Sequence, residues 1–213
     1  IKNSEHSEES TYVRAYGINE AFTGKNLATK IHVGNYSKGQ TFDDLAKASE
    51  GINRIAILRA DVDNLGYALT QGVSDNYNTL SRTATLSRHL SLFFKYYING
   101  LLKNKKFSFS NGDVERNATI VYSGGDDVFI VGAWNEIIEI AVDLSESFKK
   151  YTQNTLSISA GIGIYKVGYP ISQIALEVGS MEEMSKDVDG KAAITLIPDI
   201  EVYYEDDEKK ESI

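Results

Sequence analysis

"VYSGGDDVFIVG" (residues 121–132) sets two glycines and two aspartates between two short apolar runs. The runs read as strands and GGDD as the corner joining them, because glycine and aspartate are favoured where a hairpin reverses. Upstream, "NATIVYS" (117–123) completes the first strand, and "VFIVGA" (128–133) forms the second. The next stretch, "WNEIIEIAVDLSESFKKYT" (134–152), spaces Ile137, Ile138, Ala141, Val142, Leu144 and Phe148 as an amphipathic helix does.

The same reading extends outward in both directions. "NRIAILRADVD" (53–63) is an apolar run bounded by Gly51 and Gly66, hence a buried strand. Between Asn76 and Asn104 the positions Leu80, Ala84, Leu86, Leu90, Phe93, Phe94, Tyr97 and Leu101 fall three or four apart, which predicts one long amphipathic helix. Its aromatic run "LSLFFKYYI" is expected in the core rather than as a platform for stacking bases. "LSISAGIGIY" (156–165) is a strand, "PISQIALEVGSMEEMSK" (170–186) a helix opened by proline, and "AAITLI" (192–197) a closing strand. Before all of these, "LATKIHVGNY" (27–36) alternates as a strand, and "TFDDLAKAS" (41–49) reads as a short helix capped by Thr41. Residues 1–26 lack a sustained period and are expected to be an irregular lead-in. Residues 27–200 form one domain, and 201–213 a charged tail, the start of a linker to a missing domain.

From 53 onward the order is strand, helix, strand, strand, helix, strand, then helix and strand. The first six elements make two interlocked strand–helix–strand units, so the fold class is α+β, a ferredoxin-like βαββαβ arrangement with an additional helix–strand at the C-terminus. Right-handed crossovers place the strand after GGDD antiparallel to the strand at 53–63. The carboxyl end of that strand then adjoins the GGDD corner, and Asp61 and Asp126 become neighbours.

Converging carboxylates repel unless a cation neutralises them. Magnesium suits them, taking one or two carboxylates with water and substrate phosphates. Asp61, Asp126 and Asp127, with the Val62 carbonyl, could form such a shell. Gly124 and Gly125 would admit positive φ and let a nucleotide approach the backbone. "DNLG" after Asp61 could turn several N–H groups toward phosphate oxygens. Taken alone, GGDD is a hairpin corner and DVDNLG a strand exit; their meeting favours a site. Lys186 and Lys191 could reach a triphosphate, although such a pair equally suits a solvated helix end. Ser123, beside the turn, could contact a nucleotide or simply end a strand.

Bulk composition bounds the rest. The 213 residues are 42% hydrophobic, enough for one good core, and the net charge of −8 argues against a broad basic surface for nucleic acid. No apolar stretch approaches the roughly 20 residues that cross a membrane. The absence of cysteine excludes disulfides and thiolate zinc sites. His6, His32 and His89 are scattered, and no G-x-x-x-x-G-K-[ST] loop is present.

At "RADVDNLG", "LSRHLSLFF" and "YSGGDDVFIVG" the chain resembles the large palm-containing subunit of type III-A (Csm) CRISPR effector complexes, in its second palm domain, from about Tyr36 to Ile197. More distantly it is similar to diguanylate cyclases, through "DVDNLG", GGDD and "LSISAGIGIY". The resemblance implies a palm of the nucleotide cyclase and polymerase type that joins ATP into cyclic oligoadenylates after target RNA is captured. It implies that Asp61, the Val62 carbonyl and Asp126 hold Mg2+ or Mn2+, with Asp127 assisting metal or substrate. The backbone of Asn64, Leu65 and Gly66 would cradle the triphosphate, and Lys186 and Lys191 would contact phosphates. "DVD" between Lys186 and Gly190 is one residue longer than the cyclase spacing. Implied partners are ATP, the other palm domain, other Csm subunits, guide RNA and target RNA, in a prokaryotic cytoplasm and away from membranes. With no HD nuclease motif and no second palm here, the fragment, monomer or weak homodimer, is expected to bind ATP and metal yet synthesise little alone. The alternatives are a non-catalytic nucleotide-binding or scaffolding module of the complex, and a dinucleotide cyclase using GTP.

Overall fold

The computed structural model describes residues 15–19, 27–39, 41–72, 79–108 and 114–196. At their centre lies a five-stranded sheet in the order β4-β5-β3-β6-β7, built from β3 (Ile55–Val62), β4 (Ala118–Ser123), β5 (Asp127–Ala133), β6 (Ile158–Tyr165) and β7 (Ile194–Leu196). β3 runs antiparallel to both β5 and β6, while β7 joins the edge parallel to β6. Setting β7 aside, the order by succession is 2-3-1-4, the ferredoxin-like arrangement expected from the element sequence.

Both faces of the sheet are covered. Ala56, Leu58, Ala60 and Val62 of β3, with Val128 and Ile130 of β5, point into a core shared with α5 (Trp134–Tyr151) and the helical stretch after β3. Ile55, Ile57 and Val131 point the other way, against α1 (Phe42–Lys47) and α6 (Ile171–Asp187). Alternation along β3 therefore decides which side chains reach α6, and Arg59 and Asp61 fall on that side.

Several local expectations hold. Thr41 caps α1 in a capping box with Asp44, each side chain satisfying the other's backbone N–H. Pro170 precedes α6, and Phe93 and Phe94 are buried. Others are corrected. The long helix is in three parts, α3 (Leu80–Leu92), a π-helical turn (Phe93–Tyr97) and α4 (Ile98–Lys103); residues 76–78 lie outside the described residues. The wider turn buries two consecutive phenylalanines and leaves Tyr96 and Tyr97 exposed. A short helix, α2 (Leu65–Gln71), follows β3 where only a turn was expected, being too short and too glycine-broken to show a period. The lead-in is not irregular throughout: β1 (Ala15–Ile18) pairs in parallel with β2 (Leu27–Ile31). Residues 1–14, 20–26 and 197–213 lie outside the described residues, the charged tail among them.

Two contacts fix the frame around the site. Arg116, fully buried, ion-pairs Glu139 and, at 2.7 Å, Asp143, both on α5. Its guanidinium also donates to the Phe107 carbonyl, and its own carbonyl accepts the Tyr36 hydroxyl at 2.6 Å. Burial, then the Glu115 charge, pushes the Tyr36 pKa up to about 12, so this hydroxyl stays a donor. On the opposite face, α6 lies close over Gly161 of β6. A Cβ there would stand 2.6 Å from the Glu182 backbone nitrogen and 2.7 Å from Met181 Cβ. Gly161→Ala is therefore expected to push α6 off the sheet and destabilise the fold by about 1–3 kcal/mol, read by denaturant unfolding.

Candidate functional site

The carboxyl end of β3 opens into a pocket of about 520 Å3, lined by Asp61, Val62, Asn64, Leu65, Gly66, Leu69, Asp126, Lys186 and Lys191. Eight of these nine were singled out from the sequence, and three separate chain segments bring them together. β3 delivers Asp61 and Val62, and the β4–β5 corner delivers Asp126. The end of α6 and the turn before β7 supply the lysines. A larger groove of about 650 Å3 lies elsewhere, around Asn19, Asn35, Asn99 and Lys103, and contains none of these carboxylates.

Burial, followed by the charges of Asp61 and Asp127, raises the Asp126 pKa above its ordinary 3.8; the Lys186 ammonium offsets this only in part. The corner thus carries surplus negative charge. Among the described residues no three His, Cys, Asp or Glu side chains form a ready-made metal cage. Two carboxylates near one backbone carbonyl are nonetheless the hard-oxygen set that magnesium completes with water and phosphate. The residues present fit such an ion.

Lys186 hydrogen-bonds Asp61 through a short contact and ion-pairs Glu182, one turn earlier, at 2.7 Å. Glu182 also takes Arg59 Nε at 2.8 Å. Burial works to lower the Lys186 pKa, but the hydrogen bonds to Asp61 and then Glu182 outweigh it, and the pKa is raised. The ammonium is therefore held charged beside Asp61. Lys191 Nζ donates to Asn64 Oδ1 at 2.8 Å. Asn64 is left-handed at φ 54° and precedes α2, whose first-turn N–H groups have no partner within the helix. Leu65 and Gly66 line the pocket at this point.

The corner residues behave differently from expectation. Neither Gly124 nor Gly125 has positive φ; among the described residues the positive-φ glycines are Gly39, Gly51, Gly168 and Gly190. Gly124 is small for another reason: a Cβ there would stand 2.6 Å from the Tyr122 hydroxyl and against the Asp127 carboxylate. Asp127 lies opposite Asp61 in register, and its charge, beside the Tyr122 hydroxyl, raises the tyrosine's pKa. Ser123 is turned away from the pocket. A β-bulge between Ile120 and Tyr122 sets Ser123 opposite Val128 on the α5 face, where its hydroxyl donates to the Phe94 carbonyl.

Asp63 escaped the sequence reading. Only 3% exposed, it accepts hydrogen bonds from Ser157 Oγ (2.6 Å), Ser159 Oγ (2.6 Å) and the Ala192 N–H (3.1 Å). Gly190, Lys191 and Ala192 are all left-handed, with φ of 83°, 53° and 54°. For a non-glycine residue that conformation costs about 1–2 kcal/mol. The D-x-D spacing was visible, but nothing local distinguishes the buried aspartate from the pocket-facing one.

The sequence profile described as "Cas10/Cmr2, second palm domain" matches residues 54–195. The chain belongs to this family. A relative from Mycobacterium tuberculosis (strain ATCC 25618 / H37Rv), the CRISPR system single-strand-specific deoxyribonuclease Cas10/Csm1 of subtype III-A, is 46% identical over 190 residues, covering 86% of this chain and 24% of the relative. Two solved structures superpose on the palm. A Csm1–Csm4 cassette in complex with one ATP gives a TM-score of 0.78 at 30% identity, over 87% of this chain and 28% of that chain. A cassette in complex with cA4 gives 0.76 at 28% identity, again over 87% and 28%. The palm thus spans about a quarter of the length of the curated Cas10/Csm1 relatives it matches. No helix among its described residues is long and apolar enough to cross a membrane.

Proposed function

We propose that this palm binds ATP with Mg2+ or Mn2+ and joins ATP units by 3′–5′ nucleotidyl transfer into cyclic oligoadenylates, serving signalling in type III CRISPR antiviral defence. The observation that carries the reading is the single pocket uniting Asp61, Asp126, the start of α2 and both lysines. Cassettes of similar fold whose structures hold ATP or cA4 support the nucleotide.

In this reading a 3′-oxygen forms a bond to the α-phosphorus of a second ATP, the bond to the bridging oxygen breaks, and pyrophosphate departs. A bound divalent ion would lower the pKa of the attacking hydroxyl and offset charge on the leaving group. Asp61, Asp126 and the Val62 carbonyl would hold that ion, and Asp127 would assist metal or substrate from the corner. The N–H groups of Leu65 and Gly66, Asn64 and the two lysines take the triphosphate. No protein nucleophile is needed, so orientation and charge neutralisation supply the rate. Lys186 is the counter-charge of Asp61 and lines the same pocket, where its ammonium would take a phosphate oxygen. The acceptor ATP comes from a second palm, within a full-length protein that also meets Csm subunits, guide RNA and target RNA in the cytoplasm. Alone, the chain binds ATP but makes little product unless two copies associate.

Incubation with ATP and Mg2+ or Mn2+, followed by mass spectrometry, tests this. Oligoadenylate at low yield, rising with protein concentration, is expected. Product from GTP in preference to ATP would make the palm a dinucleotide cyclase. ATP binding that ignores metal and survives Asp126→Ala would make it a scaffold.

Acidity should act through Asp126, which faces Asp61, Asp127 and Lys186. The folded chain holds its proton more tightly than the unfolded chain, so without metal the stability falls as pH rises from 3.8 through the raised pKa. Metal needs the ionised form, so Mn2+ affinity should rise through the same window. Titrations of Mn2+ binding and of unfolding across that window should move in opposite directions.

A further inference from the structure

We infer that Asp63 is a positioning residue: its buried carboxylate holds the turn before β7 in the conformation that aims Lys191 at the pocket. The inference rests on the proposed triphosphate role of Lys191. Asp63 follows Val62, the last residue of β3, and precedes the left-handed Asn64. Its backbone N–H donates to the Ser157 carbonyl at 2.9 Å, and its carboxylate takes the hydroxyls of Ser157 and Ser159. One aspartate thereby fastens the exit of β3 to the entry of β6. With the same Oδ2 that takes Ser157, it accepts the Ala192 N–H.

That last bond reaches the longest run of left-handed backbone among the described residues. Gly190, Lys191 and Ala192 are left-handed in succession, and only the first is a glycine. Two side-chain-bearing residues do not stay there without a tether. The turn's other bond described, Lys191 N–H to the Val188 carbonyl at 2.9 Å, spans only three residues and would persist in a frayed turn. One residue on, the Ala193 carbonyl takes the Ala160 N–H of β6 at 3.0 Å, and within the left-handed stretch itself Asp63 supplies the tether to the sheet. From the turn so held, Lys191 reaches Asn64, on the other side of Asp63. The aspartate thus fixes both partners of the Lys191–Asn64 contact through its own neighbours in sequence and in space.

The test is equilibrium binding of MgATP and of AMP to the 213-residue chain. Asp63→Asn keeps the shape and removes the charge. It should weaken MgATP binding about tenfold, the effect of one charge-assisted phosphate contact, and leave AMP binding unchanged. Lys191→Ala should do the same. The double variant should bind MgATP no more weakly than Lys191→Ala alone, since both changes act on one contact. A double variant about a hundredfold weaker would mean independent effects and overturn the inference, as would an Asp63→Asn chain that binds MgATP normally. Amide exchange gives a readout independent of nucleotide: the Ala192 N–H should exchange at least about tenfold faster in Asp63→Asn. If the wild-type chain binds no MgATP, the functional proposal fails, and unchanged exchange at Ala192 would then sink the tether separately. Should Asp63→Asn not fold, Ser157→Ala with Ser159→Ala keeps the carboxylate, loosens its anchorage and should move both readouts in the same direction.

Discussion

Asp126→Ala is expected to lower oligoadenylate formation at least about a thousandfold while leaving the fold intact or slightly more stable. The two halves of this result have one cause. Asp126 sits in a half-buried corner facing Asp61 and Asp127, which raise its pKa and make its ionised form unfavourable without a cation. Removing it relieves repulsion, so the metal-free unfolding midpoint should hold or rise. The same removal takes one of two pocket-lining carboxylates from the ion, and the other corner acid, Asp127, does not line the pocket. Stabilisation by ATP with Mn2+ should vanish with the activity. A variant that lost activity only because it unfolded would show the opposite shift in midpoint. A merely twofold loss of product from a well-folded variant would mean that the corner does not hold the metal.

The largest expected loss of stability belongs to a residue outside the pocket. Arg116→Ala should destabilise the chain by about 3–5 kcal/mol, since it leaves Glu139 and Asp143 buried without their cation. The arginine is fully buried, and Glu139 and Asp143 are each about 1% exposed. Stripping charge from the cluster as a whole should cost much less. Arg116→Met with Glu139→Met should recover about half the loss, because buried ion pairs often exchange for apolar groups at small cost. Asp143 keeps partners in the double variant, accepting from the backbone of Lys106 (3.3 Å) and Phe107 (2.9 Å). Urea unfolding of both variants measures the difference. A double variant as unstable as Arg116→Ala would mean that the carboxylate left without its cation is not the source of the loss.

How much of this was legible depended on whether the information was periodic or pairwise. The succession of strands and helices, with right-handed crossovers, suffices to order the sheet, and the order alone brings Asp61 to Asp126. That step needed no side-chain detail. Ser123 shows where such reasoning stops. Counted without interruption, β4 would set Ser123 opposite Asp127 on the pocket side. One extra residue at the bulge reverses its face, and nothing in "ATIVYS" announces a bulge. Asp63 fails for a related reason: its partners Ser157, Ser159 and Ala192 lie some ninety residues or more away, and burial of its carboxylate exists only once they converge. The corner glycines were read for conformational freedom, whereas Gly124 is needed for space beside Asp127.

The bulge has a second effect, on how the molecule meets copies of itself. An outer strand offers unpaired backbone groups on which another chain can add. The first half of β4 is shielded by the segment around Ser37: Ile120 N–H bonds the Tyr36 carbonyl, and Lys38 N–H bonds the Ala118 carbonyl, each at 2.9 Å. Beyond Ile120 no such bond is made among the described residues, and there the bulge begins, breaking the regular spacing a docking strand would need. At the opposite border the described part of β7 pairs with β6 over three residues. The edge strand β4 thus presents its exposed Val121 and Tyr122 on a stretch whose spacing does not match that of a regular docking strand.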